Sequence, residues 1–282
     1  MGLRKDPGIL SDNSALKSRG FVERIVNGAS PLVSVIISSF NRKDFIAKAI
    51  DSVLCQSYQQ IEVVVVDGGS KDGTQKILGG YGDKLIWISE PDRGEADAYN
   101  KGLRLCHGDI VAFLPSDDVL QPGTVGIAVQ EFETSRPEVA MVNGDAFLID
   151  TSDHIIGFVR GLALTSEYLR NVDAERVIQP STFLKKGAVE QAGGWDPAVP
   201  YANDLDLWIR ILARSSCRYV QTPLASVRDH PGSLTISRFR KVILNNFQIR
   251  RKHGGALWCP ATFRQLRLLV KHTLSGRRLA RR

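Results

Sequence analysis

The chain has 282 residues, 43% of them hydrophobic and 24% charged, with a formal net charge of +7. That composition excludes a disordered polymer and leaves enough chain to bury the core of one ordinary domain with extensions. Four scattered cysteines form no C-x-x-C pair, which excludes a zinc ribbon or a disulfide framework, and no apolar run reaches the roughly 20 residues of a spanning helix.

The charge is unevenly placed. Beyond Asp229 there is no acid at all, while that stretch holds 13 of the 37 basic residues; the remainder carries 24 basic against 30 acidic side chains. Residues 1–30 are polar and lack an apolar secretory core, so they read as an extension of a cytoplasmic, reduced protein.

From Pro31 the pattern sharpens. Leu32-Val33-Ser34-Val35-Ile36-Ile37, bounded by Pro31 and Ser38-Ser39, predicts a buried strand. Phe45, Ile46, Ala49, Ile50, Val53 and Leu54 recur at helical spacing. Residues 61–66 form a second apolar strand, closed by the loop Asp67-Gly68-Gly69-Ser70. A strand at 85–88, a helix at 96–105 and a buried strand at 110–114 follow, the last closed by Pro115-Ser116-Asp117-Asp118. Apolar strands alternating with helices predict an α/β fold with a mostly parallel central sheet flanked by helices. Ligands of such sheets bind beyond the carboxyl ends of the strands, and three of those ends carry polar clusters here.

The second half is more mixed. A strand at 139–143 precedes a variable stretch to about 177, in which residues 150–170, with Gly157 and Gly161, are the candidate closing element. Leu205, Trp208, Ile209 and Leu212 fall at i, i+3, i+4 and i+7, so a helix starts near Asp204. The expected division is an extension over 1–30, a catalytic domain over 31–236 and a basic helical tail over 237–282.

Each candidate residue has a plainer reading beside its chemical one. Asp117-Asp118 suits a hard divalent cation such as Mg²⁺ or Mn²⁺, or is an acidic turn before Pro122-Gly123. Asp67 suits a base or ribose contact, with Gly69 letting the backbone approach a ligand, or is a turn aspartate. Asp204 suits a general base, or shares with Asn203 the capping of a helix. His230 is a metal or phosphate contact, or an ordinary loop histidine. Neither G-x-G-x-x-G nor G-x-x-x-x-G-K-[ST] is present, which disfavours a dinucleotide fold and a P-loop.

Taken in order, "VSVIISSFNR", "AIDSVLCQSYQQIEVVVVDGGSKDGT", "SEPDRGEADAYNKGL", "GDIVAFLPSDD", "QPSTFLKKGAVEQAGGWDP", "NDLDLWIRIL" and "DHPGSLT" resemble the family 2 glycosyltransferases, which are inverting enzymes of the GT-A fold. The likeness covers roughly residues 31–236 and points to the bacterial cell-envelope polysaccharide type. It implies a first nucleotide loop at Ser39, Phe40 and Asn41, and a base-reading acid at Asp67. Arg93 and Asn100 would line the donor, and Ser116 and Asp117 would belong to the metal-binding D-x-D-type motif. Asp118 is the favoured direct ligand of Mg²⁺ or Mn²⁺, with His230 as a metal or diphosphate contact and Asp204 as the catalytic base.

The implied partners are a UDP-, GDP- or dTDP-linked sugar donor and a carbohydrate or lipid-linked acceptor, not nucleic acid. Two departures stand out: Asn203 replaces a common Glu, and Tyr99 stands where many relatives have Arg, leaving Arg93 or Lys101 for the phosphates. A nucleotidyltransferase is disfavoured because no Gly-rich basic loop follows the first strand. A sugar-nucleotide-binding module without activity is disfavoured because all three carboxylates are present. In the tail, Phe263, Leu266, Leu269 and Val270 with Arg264, Arg267 and Lys271 form a basic amphipathic helix. It suits either peripheral contact with an anionic inner-membrane face or packing on the domain with a solvated basic side.

Overall fold

Side chains alternate across a strand, so each apolar run feeds two cores at once. The computed structural model describes residues 30–233 and 237–275. In chain order it contains β1 (Val33–Ser39), α1 (Ile46–Leu54), β2 (Ile61–Asp67), α2 (Thr74–Gly79), β3 (Ile86–Ser89), α3 (Glu95–Leu105), β4 (Ile110–Pro115), β5 (Val119–Leu120) and α4 (Thr124–Thr134). Val33, Val35, Ile37, Val63 and Val65 pack with Ile46, Ile50 and Val125 on one face. Ile36, Val64, Val111 and Phe113 pack with Tyr99, Trp195 and Trp208 on the other. Gly102 of α3 lies so close to β1 that an added Cβ would sit 2.2 Å from Ile36 Cγ2, which explains a glycine inside that helix.

The chain continues through β6 (Val139–Ile149), β7 (Ile155–Val159), α5 (Ser166–Asn171), β8 (Thr182–Lys185), α6 (Lys186–Gln191), α7 (Asn203–Leu212), β9 (Ser216–Arg228), α8 (Phe239–Lys252) and α9 (Pro260–Ser275). The sheet order is β3-β2-β1-β4-β8-β6-β9-β5, with β7 paired to β6. β1 to β4 are mutually parallel, as the sequence predicts. From β8 onward the sheet becomes mixed: β8 is antiparallel to both β4 and β6, and β6 and β9 run parallel to each other.

Two expectations change. The strand expected at 139–143 runs on to Ile149, because β9 pairs with it along almost its whole length. The expected closing loop at 150–170 instead contains β7, hydrogen-bonded to β6, and the start of α5. Gly161 in that stretch is packed against the Gly144 backbone and donates its N–H to Asp145 Oδ1 at 2.7 Å.

The helical tail packs on the body. Ile249 of α8 joins the core, and fully buried Arg250 bonds Gln265 Oε1 at 2.8 Å and Thr262 Oγ1 at 3.1 Å on α9. Residues 1–29 and 276–282, which hold most of the expected extension and the Arg-rich end, lie outside the described residues.

Candidate active site

Because β1, β2 and β4 are parallel neighbours, their carboxyl ends bring residues 39–42, 67–70 and 116–118 to one edge. The β1 turn is held by Asn41, which takes a left-handed φ of 52° and exchanges hydrogen bonds with the next loop: its N–H donates to Ser70 Oγ at 2.7 Å, and its Oδ1 accepts from Lys71 N–H. Ser39 is buried beside it, while the Phe40 ring is 57% exposed.

Asp67 is fully buried. Its carboxylate accepts from the Ser70 amide at 2.9 Å, from the Ser70 hydroxyl, and from Ser89 Oγ at 2.6 Å. The acid expected to read a base is thus engaged in holding its own loop. Next to it, half-buried Asp92 and exposed Phe40 flank Gly68, their Oδ2 and Cδ2 lying 2.5 Å and 3.2 Å from where a Cβ would stand. Gly69, at φ 81°, passes beside the Pro91 backbone.

Asp117 and Asp118 sit in the turn between β4 and β5, closed by the Asp118 amide donating to Pro115 O at 3.1 Å. Strand β5 pairs with the end of β9, and this carries Arg228 and His230 to the aspartates across more than a hundred residues. Asp118 Oδ1 accepts the Arg228 amide at 2.8 Å, and Asp117 Oδ2 lies 2.8 Å from His230 Nε2. Arg42 Nε stands 3.6 Å from the same Asp117 oxygen. Burial alone pushes the Asp117 carboxyl up, but the His230 hydrogen bond and the Arg42 charge outweigh it, so its pKa lies below the usual carboxylate range. Ser116 is buried between Asp117 and the β1 end, its amide donating to Ser38 O.

Asp204 lies in the first turn of α7, where its Oδ1 accepts the Leu205 amide at 2.8 Å. The residue before the helix, Ala202, holds φ at 52°, a conformation that a non-glycine residue adopts only when its surroundings impose it. Glu95, at the start of α3, feels the charge of Asp204, a coupling that the sequence does not reveal. Burial, and then the negative charges of Asp204 and Asp117, push the Glu95 carboxyl up to about 7, against the counteracting hydrogen bonds of Tyr99 and Asn203. The charges of Asp204 and Asp117 thus both reach the Glu95 carboxyl, while His230 and Arg42 meet Asp117.

The remaining expected contacts are placed elsewhere. Asn100 gives both ends of its amide to Trp195, Nδ2 to the carbonyl at 2.7 Å and Oδ1 to the amide at 2.9 Å, and so braces α3 against the segment before α7. The Arg93 side chain is 77% exposed and pairs with Asp97, and Lys101 pairs with Glu90 at 2.8 Å. Tyr99 is fully enclosed among Phe113 and Trp195, where a guanidinium would have no room. Arg42, which the sequence shows only as the last letter of a motif, is a cation that meets the Asp117 carboxylate.

The buried acid has a measurable signature. Below about pH 4.5 Glu95 is protonated whether folded or not; between there and about 7 the unfolded chain releases the proton and the folded chain keeps it. Folded stability therefore falls as pH rises through that window and levels off above it. Glu95→Gln removes the penalty, so in EDTA the variant is expected to exceed wild type by on the order of 2–3 kcal/mol at pH 8. The gap should close near pH 4.5. A gap independent of pH in thermal unfolding would refute the assignment.

Known proteins resemble this chain in sequence and in fold. The Glycosyl transferase family 2 model matches residues 34–156. An uncharacterized glycosyltransferase of Rickettsia typhi is 30% identical over 219 residues, 74% of this chain and 67% of that protein. An uncharacterized glycosyltransferase of Mycobacterium tuberculosis is 33% identical over 187 residues, 64% of this chain and 69% of that one. The chain spans about two thirds of the first two rickettsial relatives and between 31% and 37% of three others.

Among solved structures, S. aureus TarS 1–349 in complex with UDP-GlcNAc superposes with a TM-score of 0.63 at 15% identity, over 86% of this chain and 73% of that one. Mannosyltransferase PcManGT from Pyrobaculum calidifontis, in complex with GDP-Man and Mn²⁺, gives 0.60 at 17% identity, over 95% of this chain and 86% of that one. With the sheet order, the polar strand ends and these relatives in agreement, the chain belongs to glycosyl transferase family 2 and has the GT-A fold.

Proposed function

We propose that this protein transfers a sugar from a nucleoside-diphosphate donor to an acceptor hydroxyl, with inversion at the anomeric carbon and with a divalent cation bound beside Asp117 and His230. The observation that carries the reading is the coupling of two groups of side chains: Asp117 with His230 and Arg42, and Asp204 with Glu95, whose carboxyl feels the charge of both aspartates. In this reading the donor diphosphate lies at the first group and the acceptor hydroxyl at the second.

The donor set fits a cation of this kind. Among the described residues no group of three or more His, Cys, Asp or Glu side chains is arranged to hold a metal, so a self-contained protein cage is not the design. One carboxylate oxygen and one imidazole nitrogen, 2.8 Å apart, leave most of a coordination sphere for phosphate oxygens and water. The nitrogen favours Mn²⁺ over Mg²⁺. When bound, such an ion supplies Lewis-acid neutralisation of the diphosphate charge. Asp117 is favoured over Asp118 as its ligand, because one Asp118 oxygen is engaged by the Arg228 amide.

The protein's own groups carry the rest. Arg42 offers a guanidinium to the phosphate oxygens, the group best matched to them. Phe40 offers an exposed ring for a base to stack on, and the space over Gly68 lets Asp92 reach the base edge. Asp204 takes the acceptor proton as the new bond forms, from the face opposite the leaving diphosphate. TarS and PcManGT are seen with UDP-GlcNAc and with GDP-Man and Mn²⁺, which supports a UDP- or GDP-linked sugar as donor. The acceptor is a carbohydrate or a lipid-linked saccharide.

The test is calorimetric binding of UDP-, GDP- and dTDP-sugars in Mn²⁺, Mg²⁺ or EDTA. Wild type is expected to bind one nucleotide class only with metal. Asp117→Asn should weaken that binding at least about tenfold, while Asp118→Asn, which keeps an acceptor for the Arg228 amide, stays within a few-fold. Equal binding in EDTA would sink the metal assignment, and the reverse order of the two variants would return the ligand role to Asp118.

A further inference from the structure

The outward face of α9 is apolar, and nothing described covers it. Arg250, fully buried, fixes the rotation of α9 through Gln265 and Thr262, and Ala261 is buried on the same side. That rotation turns Phe263, Leu266 and Val270 outward, with Leu257 and Trp258 leading into the helix; Trp258 is 71% and Phe263 58% exposed, and their rings lie 6.1 Å apart. Positions 263, 266 and 270 share one helical stripe, and Arg267 and Lys271 fall along one edge of it. Arg264, further round, is held by Asp173 at 3.1 Å, whereas Arg267 and Lys271 form no ion pair among the described residues. The helix is packed on the body, and its solvent side mixes the apolar Phe263, Leu266 and Val270 with the basic Arg264, Arg267 and Lys271.

Charge decides what can cover such a face. A second copy would bring the same basic surface, and this chain has no Asp or Glu beyond residue 229 to meet it. The segment 1–29 is itself net basic, with five Lys or Arg against three acids. Covering this face with the same face of a second copy, or with segment 1–29, is therefore disfavoured by charge. An anionic phospholipid bilayer matches the face on both counts: hydrocarbon at its boundary for Trp258, Phe263, Leu266 and Val270, and lipid phosphates for Arg267 and Lys271. No helix among the described residues is long and apolar enough to cross a membrane, so α9 would lie along the surface.

We infer that α9, with the preceding Leu257-Trp258, is an interfacial anchor that docks this protein on anionic phospholipid. The inference is independent of the transfer chemistry, since α9 contributes no residue to the candidate active site.

The test uses the full chain and vesicles of phosphatidylcholine with or without 30 mol% phosphatidylglycerol (about that fraction gives a strong negative surface potential). Wild type should sediment with the anionic vesicles and at least about tenfold less with the neutral ones, and high salt should release it. Brominated acyl chains should quench Trp258, shown by loss of that quenching in Trp258→Phe. The triple variant Trp258→Ser, Phe263→Ser, Leu266→Ser should lose vesicle binding about tenfold or more, and Arg267→Glu with Lys271→Glu should do the same, while both keep wild-type nucleotide binding and melting temperature. Failure of wild type to bind anionic vesicles would overturn the inference, as would undiminished binding by the triple variant. A wild-type dimer that the triple variant converts to monomer would assign the face to a second copy instead.

Discussion

Asp204→Asn is expected to lower kcat for sugar transfer about a thousandfold while leaving donor affinity within about twofold. The substitution preserves size and the hydrogen bond to the Leu205 amide, so the α7 terminus and the strained Ala202 before it stay in place. What is lost is the only role asparagine cannot fill, accepting a proton from the acceptor hydroxyl as the sugar arrives. Single-turnover transfer and donor titration on the same preparation separate the two effects. Glu95 gives this experiment its control. Its carboxyl, raised to about 7 by burial and by two neighbouring carboxylates, is also suited to proton transfer near neutrality. If Glu95→Gln loses the larger factor and Asp204→Asn only a few-fold, the base is Glu95, and Asp204 is the charge that tunes it.

The largest structural effect is expected at Arg228. Its Nε donates to the Asp117 carbonyl at 2.8 Å, one terminal nitrogen to the Asp150 carbonyl at 2.7 Å, and the other meets Asp153 Oδ1 at 2.7 Å. The guanidinium also lies 5.1 Å over the Phe45 ring. One buried cation therefore ties the aspartate turn, the end of β6 and the turn before β7 together. Arg228→Met fills similar volume but leaves two carbonyls without donors and Asp153 without this partner, a loss on the order of 3–4 kcal/mol. For a chain of this size that corresponds to a fall of about 10 °C in melting temperature. Arg228→Lys should recover little, because an ammonium cannot reach three directions in one plane. A melting temperature within about 2 °C of wild type, with donor KM unchanged, would show that the turn holds itself.

The sequence reveals the parallel half of the molecule well, because residues 33–37, 61–66 and 110–114 are apolar but for Ser34 and Glu62, and only a strand covered on both faces needs that. The polar strand ends follow directly, and so does the nearness of Asp117 to His230 once the ordered motifs are recognised. The later half resists for a physical reason. β6 and β9 are long strands broken by Asn143-Gly144-Asp145 and by Thr222-Pro223, and their pairing shifts register at those points, so no clean alternation survives in the letters. Glu95, Arg42 and Arg228 are missed for another reason. Each is an ordinary charged residue in its local context, and its role arises from burial or from a partner some seventy-five to a hundred residues away. Asp67 at the end of β2 and Asn100 in α3 also make internal bonds that the letters do not show, Asp67 to its own loop and Ser89, and Asn100 to the Trp195 backbone.

The hydrogen bond between Asn203 and Glu95 carries a consequence for the charge this corner of the fold can hold. Asn203 meets the Glu95 carboxyl with a neutral amide, while Asp204 and Asp117 already press on that carboxyl with like charge. Asn203→Asp or Asn203→Glu would set a further acid against Glu95, so one of the two would keep its proton near neutrality or the fold would weaken. Asn203 is the uncharged neighbour that Glu95 needs.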